Sequence, residues 1–600
     1  MTAATAVRGQ KTGPNGGVVA GPCRRINVAF SAGGRWASCV RVCDEQITLE
    51  RWVFPDDRAP RRESVDGVAA DVGTQSLPLD DGRLIVFPNS DEQHQVVMVG
   101  AGTDSVTPLG MVAALGGYLL ASPSPDLLGL LITFDDADAS TIWRVTDSPV
   151  TMTRAVRLGG TLSGGAWLDP QGNLVVLNRR HGSGTSEAIA VDLDEGAHAP
   201  VFSVSDKTND LVLLADPRSR LVVVSTDATG ERRLGWTTIG AGESIHFPER
   251  LNAPGHDRQV LSLDPAGSRV LLHEQRGTTS RLSVYGLADD SECDLDIPVG
   301  AALLCPSWTD DAIRLPFSTP RSPTTMLTIP TDGRPAQLHT DPDYTGPATA
   351  DAELVQFDGA VGPVEAIVYG GPGWRSRDRV VIALHGGPVS SWRMEYDPLF
   401  QALARAGCAV VAPNCRGSVG YGDDHLEPIR GDWGGPDLDD VLHIAAQLER
   451  ERDPHARKPV VLGASYGGYL ALLAAGSAPD RWSACVAVAP FLSTERLYAE
   501  ASPWVGNNVA GAGALATVAA DRTTRDVLAV CESISVPLLV AHGVDDELIP
   551  VGQSRALRDR LRAAGRTDGV DYREVAANHD STCRLERSAL RAAVVSFVLS

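Results

Sequence analysis

The serine with the clearest chemical context in this chain is Ser465, at the centre of the sequence G-A-S-Y-G at residues 463–467. An apolar run at 459–462 precedes it, and a longer apolar run at 468–475 follows. A G-x-S-x-G sequence between a buried strand and a buried helix is typical of a sharp turn that exposes a nucleophilic serine. Because 60 of the 600 residues are glycine, such a pentapeptide also occurs by chance, so its partners decide the interpretation.

An acid and a histidine follow Ser465 in the chain order that such a site requires, Ser, Asp, His. Two aspartates, Asp545 and Asp546, follow a buried apolar run, and either carboxylate could reach an imidazole. Only His542 and His579 come after the serine, and His542 precedes the acid. Chain order therefore selects His579, which would take the serine proton and pass it to a leaving group.

A site for acyl transfer also needs N–H donors for the oxyanion that develops in the transition state. The predicted strand at 379–384 ends in H-G-G-P at residues 385–388. Glycines there allow the backbone to approach a substrate and to offer one N–H. The second donor would be the backbone N–H of Tyr466, directly after the serine.

These residues carry a family resemblance. The C-terminal part resembles the prolyl oligopeptidase family of serine peptidases, and its acylaminoacyl-peptidase branch most of all. The matching motifs span about 200 residues in the family's order, and they are H-G-G-P at 385–388, N-C-R-G-S-V-G-Y-G at 414–422, G-D-W-G-G-P-D at 431–437 and G-A-S-Y-G-G-Y at 463–469. The resemblance implies that Asp546 is the acid and that Gly387 and Tyr466 provide the oxyanion N–H groups.

The chain departs from the family pattern around the substrate. Leu548 stands where many peptidases of this branch carry an arginine, which binds a backbone carbonyl of the substrate. The segment 502–520, which borders the substrate pocket in the family, is rich in Gly and Ala. We therefore expect weak anchoring of ordinary oligopeptides. Further candidates for the pocket are Trp392, Tyr421 and Arg416, although Arg416 could instead pair with an acid.

The first half of the chain repeats a turn followed by an apolar run. The clearest copies begin at Asp169, Asp216 and Asp264, and weaker copies raise the count to seven between about residues 25 and 340. A period of 40–50 residues with short strands is the signature of a β-propeller blade. Two packed β-sandwiches are the alternative, but they would not explain the regular spacing. After residue 350, alternating strands and helices predict a doubly wound, mostly parallel sheet of the α/β-hydrolase type.

We therefore predict a lead-in at residues 1–24, expected to be flexible, a seven-bladed propeller at 25–340 and a catalytic domain at 350–600. The net charge of −22 argues against nucleic acids and anionic membranes as partners. The ten scattered cysteines lack zinc-site spacing, which favours buried thiols, a cytoplasmic location and no metal or other cofactor. A homo-oligomer is compatible with the sequence.

The sequence thus predicts a serine hydrolase that cleaves an amide or ester bond of a small molecule or short peptide. It could act as a peptidase, or as an acyl hydrolase or acyltransferase of a specialised small molecule. The alternative from another class is a catalytically silent protein that binds a partner through its propeller.

Overall fold

The computed structural model describes residues 23–43, 46–55, 59–88, 93–102, 105–136, 138–182, 184–240, 244–255, 257–340, 348–514, 525–585 and 588–600. Nearly all of the predicted lead-in at 1–24 lies outside the described residues. So do 515–520 of the Gly/Ala-rich segment and residues 341–347 between the two predicted domains.

The N-terminal half forms seven antiparallel sheets, each built from one continuous stretch of chain. This is the predicted seven-bladed propeller. The strands in order are Arg24–Phe30, Trp36–Cys43, Gln46–Val53 and Arg61–Val65 (β1–β4); Gln75–Pro78, Leu84–Phe87, Gln93–Val99 and Val106–Ala113 (β5–β8); Gly116–Ala121, Leu127–Asp136, Ala139–Asp147 and Val150–Gly159 (β9–β12); Thr161–Trp167, Leu174–Arg180, Ser186–Asp192 and His198–Phe202 (β13–β16); Leu211–Ala215, Leu221–Thr226 and Arg233–Thr238 (β17–β19); Arg258–Leu263, Arg269–Arg276, Thr279–Gly286 and Glu292–Asp294 (β20–β23); and Ala301–Ala302, Ser307–Trp308, Ala312–Thr319, Ser322–Pro330 and Gln337–His339 (β24–β28).

Each repeated turn of the sequence connects two adjacent strands of one blade. In blades one to six the turn joins the first strand of the blade to the second, and in blade seven it joins β25 to β26. The apolar run after each turn is therefore a central strand, buried between neighbouring blades. The ring closes where the Arg25 guanidinium of blade one donates to the Thr324 carbonyl of blade seven, at 3.1 Å.

The C-terminal half contains one eight-stranded sheet in the order β29-β30-β32-β31-β33-β34-β35-β36. β29 and β30 pair antiparallel with their neighbours, and β31 to β36 are parallel. This is the predicted α/β-hydrolase sheet, with one antiparallel edge strand, β29, that the sequence analysis missed. The strands are Ala352–Asp358, Pro363–Tyr369, Val380–Leu384, Ala409–Pro413, Val460–Ala464, Ala484–Val488, Leu538–Gly543 and Val570–Val575 (β29–β36).

Helices cover both faces of this sheet. Alternate residues of β31 belong to two separate apolar cores, with Val380 and Ile382 in one and Val381 and Ala383 in the other. Such double burial explains why these strands read as continuous apolar runs. The helices are Pro398–Arg405, Asp423–Leu426, Pro436–Glu451, Tyr466–Ser477, Thr494–Glu500, Pro503–Gly511, Val527–Val530, Gly552–Ala563, His579–Cys583 and Ser588–Leu599 (α1–α10).

The hairpin between β21 and β22 of blade six docks against the catalytic domain. The Gly277 N–H donates to the Gly420 carbonyl at 2.8 Å, and the Met394 N–H donates to the Thr278 carbonyl at 2.7 Å. Backbone groups of both domains are therefore satisfied by each other. The propeller lies over the same loops, 385–397 and 414–422, that carry the family motifs.

One expectation about the cysteines is wrong. Cys23 and Cys43 form a disulfide, with their Cα atoms 4.3 Å apart. The pairing of β1 with β2 explains it, because Arg24 lies opposite Val42 and the next pair outward brings the two cysteines together. The remaining eight cysteines are free, and five of these are buried. Among the described residues, no helix has both the length and the apolar character needed to cross a membrane.

Candidate active site

Ser465 lies in a strained turn between β33 and α4. Its φ is +56°, a region that residues with a side chain seldom adopt. The turn also brings backbones into close contact, because a Cβ on Gly467 would lie 2.2 Å from the Leu384 carbonyl oxygen at the end of β31. A Cβ on Gly463 would lie 2.1 Å from the Gly467 carbonyl oxygen. At both glycines of the G-x-S-x-G sequence a side chain would therefore overlap a backbone carbonyl oxygen.

The structure brings Ser465, His579 and Asp546 together. His579 Nε2 is 3.1 Å from Ser465 Oγ, and His579 Nδ1 is 2.7 Å from Asp546 Oδ2. A carboxylate can only accept, so Nδ1 carries the proton and Nε2 accepts from the serine hydroxyl. Asp545 is exposed on the same loop, and its backbone N–H donates to the Ala577 carbonyl.

The Asp546 carboxylate accepts three hydrogen bonds and has a second imidazole beside it. Oδ1 accepts the backbone N–H groups of Leu548 at 3.0 Å and Ile549 at 2.7 Å. Oδ2 lies between His579 and the second imidazole, His542, whose Nε2 is 3.3 Å away. Burial alone would raise the pKa of Asp546, but the interactions with both histidines lower it well below its usual value. The carboxylate thus stays ionised, and its hydrogen bonds favour one orientation.

His542 is a residue of this network whose contact with Asp546 sequence reasoning missed. It is fully buried; its Nδ1 is 2.7 Å from Ser554 Oγ and its Nε2 is 2.9 Å from the Ile549 carbonyl oxygen. Because a carbonyl only accepts, Nε2–H donates and Nδ1 accepts from the serine hydroxyl. Chain order excluded His542 as the base, and its position four residues before Asp546 was the signal for a supporting contact.

The basicity of His579 reflects opposing effects. Burial of the imidazole lowers its pKa, but the hydrogen bond to Asp546 and the neighbouring thiol of Cys583 raise the pKa by more. The net shift is upward. Cys583 lies one helical turn after His579 in α9, with Sγ 3.5 Å from Nε2. The Asp546 carboxylate therefore stabilises the imidazolium that forms when His579 takes a proton.

The loop at 385–388 lies beside the serine. A Cβ on Gly386 would be 3.6 Å from Ser465 Cβ, and Gly387 has a φ of +122°. Tyr466 is the first residue of α4, where backbone N–H groups lack a partner within the helix. Its side chain is buried and fixed, because its hydroxyl donates to Asp437 and accepts the Gly434 N–H at 3.2 Å.

A cavity of about 680 Å³ lies between the domains. Its lining includes Gly386, which lies beside Ser465, and Cys583, which lies beside His579 Nε2. Trp392 lines it, and the indole N–H donates to the Ala383 carbonyl at 2.8 Å.

The other pocket candidates are not among the described residues that line this cavity. The Arg416 guanidinium pairs with Asp440 and donates to the Pro436 carbonyl, which corresponds to the alternative that it shapes the site. The Tyr421 hydroxyl donates to Glu365, which also binds the blade-six hairpin. Leu548 packs against the core of the catalytic domain.

The segment around 502–520 is only partly described. Its first part forms α6, which Ser502 caps through its hydroxyl. Val505 and Val509 of this helix belong to the core of the catalytic domain. Within the described residues, no group of three or more His, Cys, Asp and Glu side chains is arranged to hold a metal ion.

Comparisons with known proteins match the C-terminal part of the chain to one family. Residues 394–597 match the profile of the Prolyl oligopeptidase family. The uncharacterized peptidase YuxL of Bacillus subtilis is 32% identical over 200 residues, which are 31% of this chain and 29% of that protein. The chain spans less than a third of the length of the curated relatives it matches.

Two solved structures share the fold over nearly the whole chain. A puromycin-hydrolyzing peptidase of Mycobacterium tuberculosis has a TM-score of 0.72 at 17% identity and covers 96% of this chain and 94% of its own. The acylaminoacyl peptidase of Pyrococcus horikoshii has a TM-score of 0.75 at 14% identity, with 96% and 95% covered. At these identities the likeness establishes the propeller and the α/β-hydrolase domain.

The two adjacent aspartates provide a matched test of this geometry. We expect Asp546→Asn to slow covalent labelling of Ser465 by a fluorophosphonate by about 10³–10⁴-fold, because an amide would favour the wrong tautomer of His579. Asp545→Asn, one residue away and exposed, should label at nearly the wild-type rate. Equal losses in the two variants would contradict the assignment of the acid.

Proposed function

Because residues 394–597 belong to the prolyl oligopeptidase family, we propose that this chain is a serine hydrolase that forms an acyl-enzyme on Ser465. The observation that carries the proposal is the line of hydrogen bonds from Ser465 Oγ through His579 to Asp546. Three unrelated polar side chains would have no reason to align after the ends of three parallel strands of one sheet, β33, β35 and β36.

In the proposed cycle, Ser465 Oγ attacks the carbonyl carbon of an amide or ester while its proton moves to His579 Nε2. The oxyanion is stabilised by the N–H groups of Gly387 and Tyr466. When the tetrahedral intermediate collapses, the bond to the leaving amine or alcohol breaks and Nε2 gives it the proton. Water, deprotonated by the same nitrogen, then releases the acid and regenerates the serine.

The position of the propeller over the site favours a small substrate. Its blade-six hairpin is hydrogen-bonded to the loops beside the site, and the cavity between the domains measures about 680 Å³. That volume accommodates a short peptide or another small molecule. A folded protein surface could not enter it without separation of the domains.

Peptide or N-acyl amide bonds are the substrates that the comparisons support best. The relatives and structural neighbours are named peptidase, acylaminoacyl peptidase and puromycin-hydrolyzing peptidase. We propose the same type of bond for this chain, in a short or N-acylated substrate.

Leu548 favours a second candidate, an acyl hydrolase or acyltransferase of a specialised small molecule. Leucine offers no side-chain donor to a substrate carbonyl, and here it packs against the core. A peptide would thus lose a charge-assisted hydrogen bond worth about 1.5–3 kcal/mol. A substrate that binds mainly through its acyl group would not be penalised.

Covalent labelling tests whether the protein is an enzyme at all. We expect wild-type protein to react with a fluorophosphonate and Ser465→Ala to remain unlabelled, with turnover reduced by several orders of magnitude. Ser163→Ala in the propeller is the matched control and should label normally. Wild-type protein that never labels, yet binds a partner through its propeller, would instead support a silent binding module.

A substrate panel tests the consequence of Leu548. We expect weak cleavage of aminoacyl and acetyl-aminoacyl anilides, and better cleavage of activated esters with bulky apolar acyl groups. Leu548→Arg should improve the anilides relative to the esters by about tenfold or more, because it restores a charged donor. Efficient cleavage of ordinary peptides by the wild type, with kcat/KM above about 10⁴ M⁻¹s⁻¹, would contradict this.

A further inference from the structure

Arginines outnumber carboxylates in the lining of the cavity between the domains, although the protein as a whole is strongly acidic. The lining contains five arginines and two carboxylates, whereas the whole chain has 53 basic and 75 acidic residues. The charged lining residues are Arg24, Arg25, Arg393, Arg584, Arg591, Glu395 and Asp397.

Several of these arginines already serve the fold. Arg25 pairs with Glu50 at 2.6 Å, and Arg393 pairs with Glu395 at 2.8 Å. One guanidinium nitrogen of Arg591 donates to the Leu585 carbonyl at 3.0 Å. These contacts fix the side chains and use part or all of their hydrogen-bonding capacity.

Arg584 is different. It is exposed, and within the part of the chain that the structure describes its guanidinium makes neither a hydrogen bond nor an ion pair. The acid near it is Asp397, whose carboxylate accepts the Phe400 N–H at 2.8 Å and so caps α1. Burial raises the pKa of Asp397 to about 6, and Arg584 opposes that rise only weakly.

The position of Arg584 in the chain is close to the residues that serve the leaving group of the substrate. It directly follows Cys583, whose Sγ is 3.5 Å from His579 Nε2. This nitrogen delivers the proton to the leaving group, so the leaving group must depart next to it. Cys583 and Arg584 both line the cavity, and of the two, Cys583 lies beside the nitrogen that serves the leaving group.

We propose that Arg584 binds a carboxylate on the leaving group. The preferred substrates would then be acyl amides or esters whose amine or alcohol part carries a free carboxylate, such as N-acyl amino acids. Only the acyl–nitrogen or acyl–oxygen bond breaks, and the carboxylate leaves unchanged with the product. This inference rests on the proposed acyl-enzyme at Ser465 and adds the chemical class of the group released.

Two pairs of probe esters test the proposal. The first pair comprises the acetyl esters of 4-hydroxybenzoate and 4-hydroxybenzamide, which differ in the charge of the leaving group. The second pair comprises the phenyl monoesters of succinic acid and of its monoamide, which differ in the charge of the acyl part. For each pair, the ratio of kcat/KM for the anionic ester to that for the neutral ester is measured.

In the first pair we expect Arg584→Gln to lower the ratio by about tenfold or more, because the carboxylate loses a charged donor. A change that affects kcat/KM of both esters equally cancels in this ratio. Arg584→Lys should retain most of the ratio, and Arg334→Gln, in an exposed ion pair of blade seven, should retain all of it. The loss should appear in KM, and added salt should reduce the wild-type preference.

Several results would overturn the proposal. They are an unchanged ratio in Arg584→Gln, an equal loss in Arg334→Gln, or a charge preference confined to the second pair. Failure of the proposed function looks different, because then neither ester would be hydrolysed at Ser465 and no variant would be labelled by a fluorophosphonate. Normal labelling of Arg584→Gln also shows that the variant is folded.

Discussion

The site depends on one close contact between two backbones. The turn after β33 packs so tightly on the end of β31 that a side chain at Gly467 would overlap the Leu384 carbonyl oxygen, at 2.2 Å. This contact holds Ser465 at a positive φ and presents its hydroxyl outward. It also sets the first N–H of α4 beside the glycine loop at 385–388, so one constraint positions both the nucleophile and the expected oxyanion donors.

Asp546 is also fixed by backbone groups, together with the imidazoles beside it. Two backbone N–H groups hold one oxygen of Asp546, and His579 and His542 share the other. A carboxylate bound in this way keeps its charge and its orientation without help from solvent. His579 is thereby held with one nitrogen toward the acid and the other toward the serine.

Much of this could be predicted from the sequence, because it depends on local patterns. The blade turns repeat at a regular spacing, and the parallel strands of the hydrolase sheet appear as apolar runs between helices. The G-x-S-x-G sequence pointed to Ser465, chain order to His579, and the family resemblance to Asp546 rather than Asp545. The rest depends on how side chains meet after folding. No repeating pattern in the sequence predicts such contacts. Examples are the hairpin register that joins Cys23 to Cys43, the contact of His542 with Asp546, and the position of Arg584 in the cavity wall.

The most direct test of the account is the location of the acyl group during turnover. The enzyme is mixed with an activated ester, quenched in acid within the first turnovers, digested and mapped by mass spectrometry. We predict that the acyl group is found on the peptide that contains Ser465. An acyl group on Cys583, the thiol that also lies beside His579 Nε2, or turnover with Ser465 never modified, would contradict the central claim.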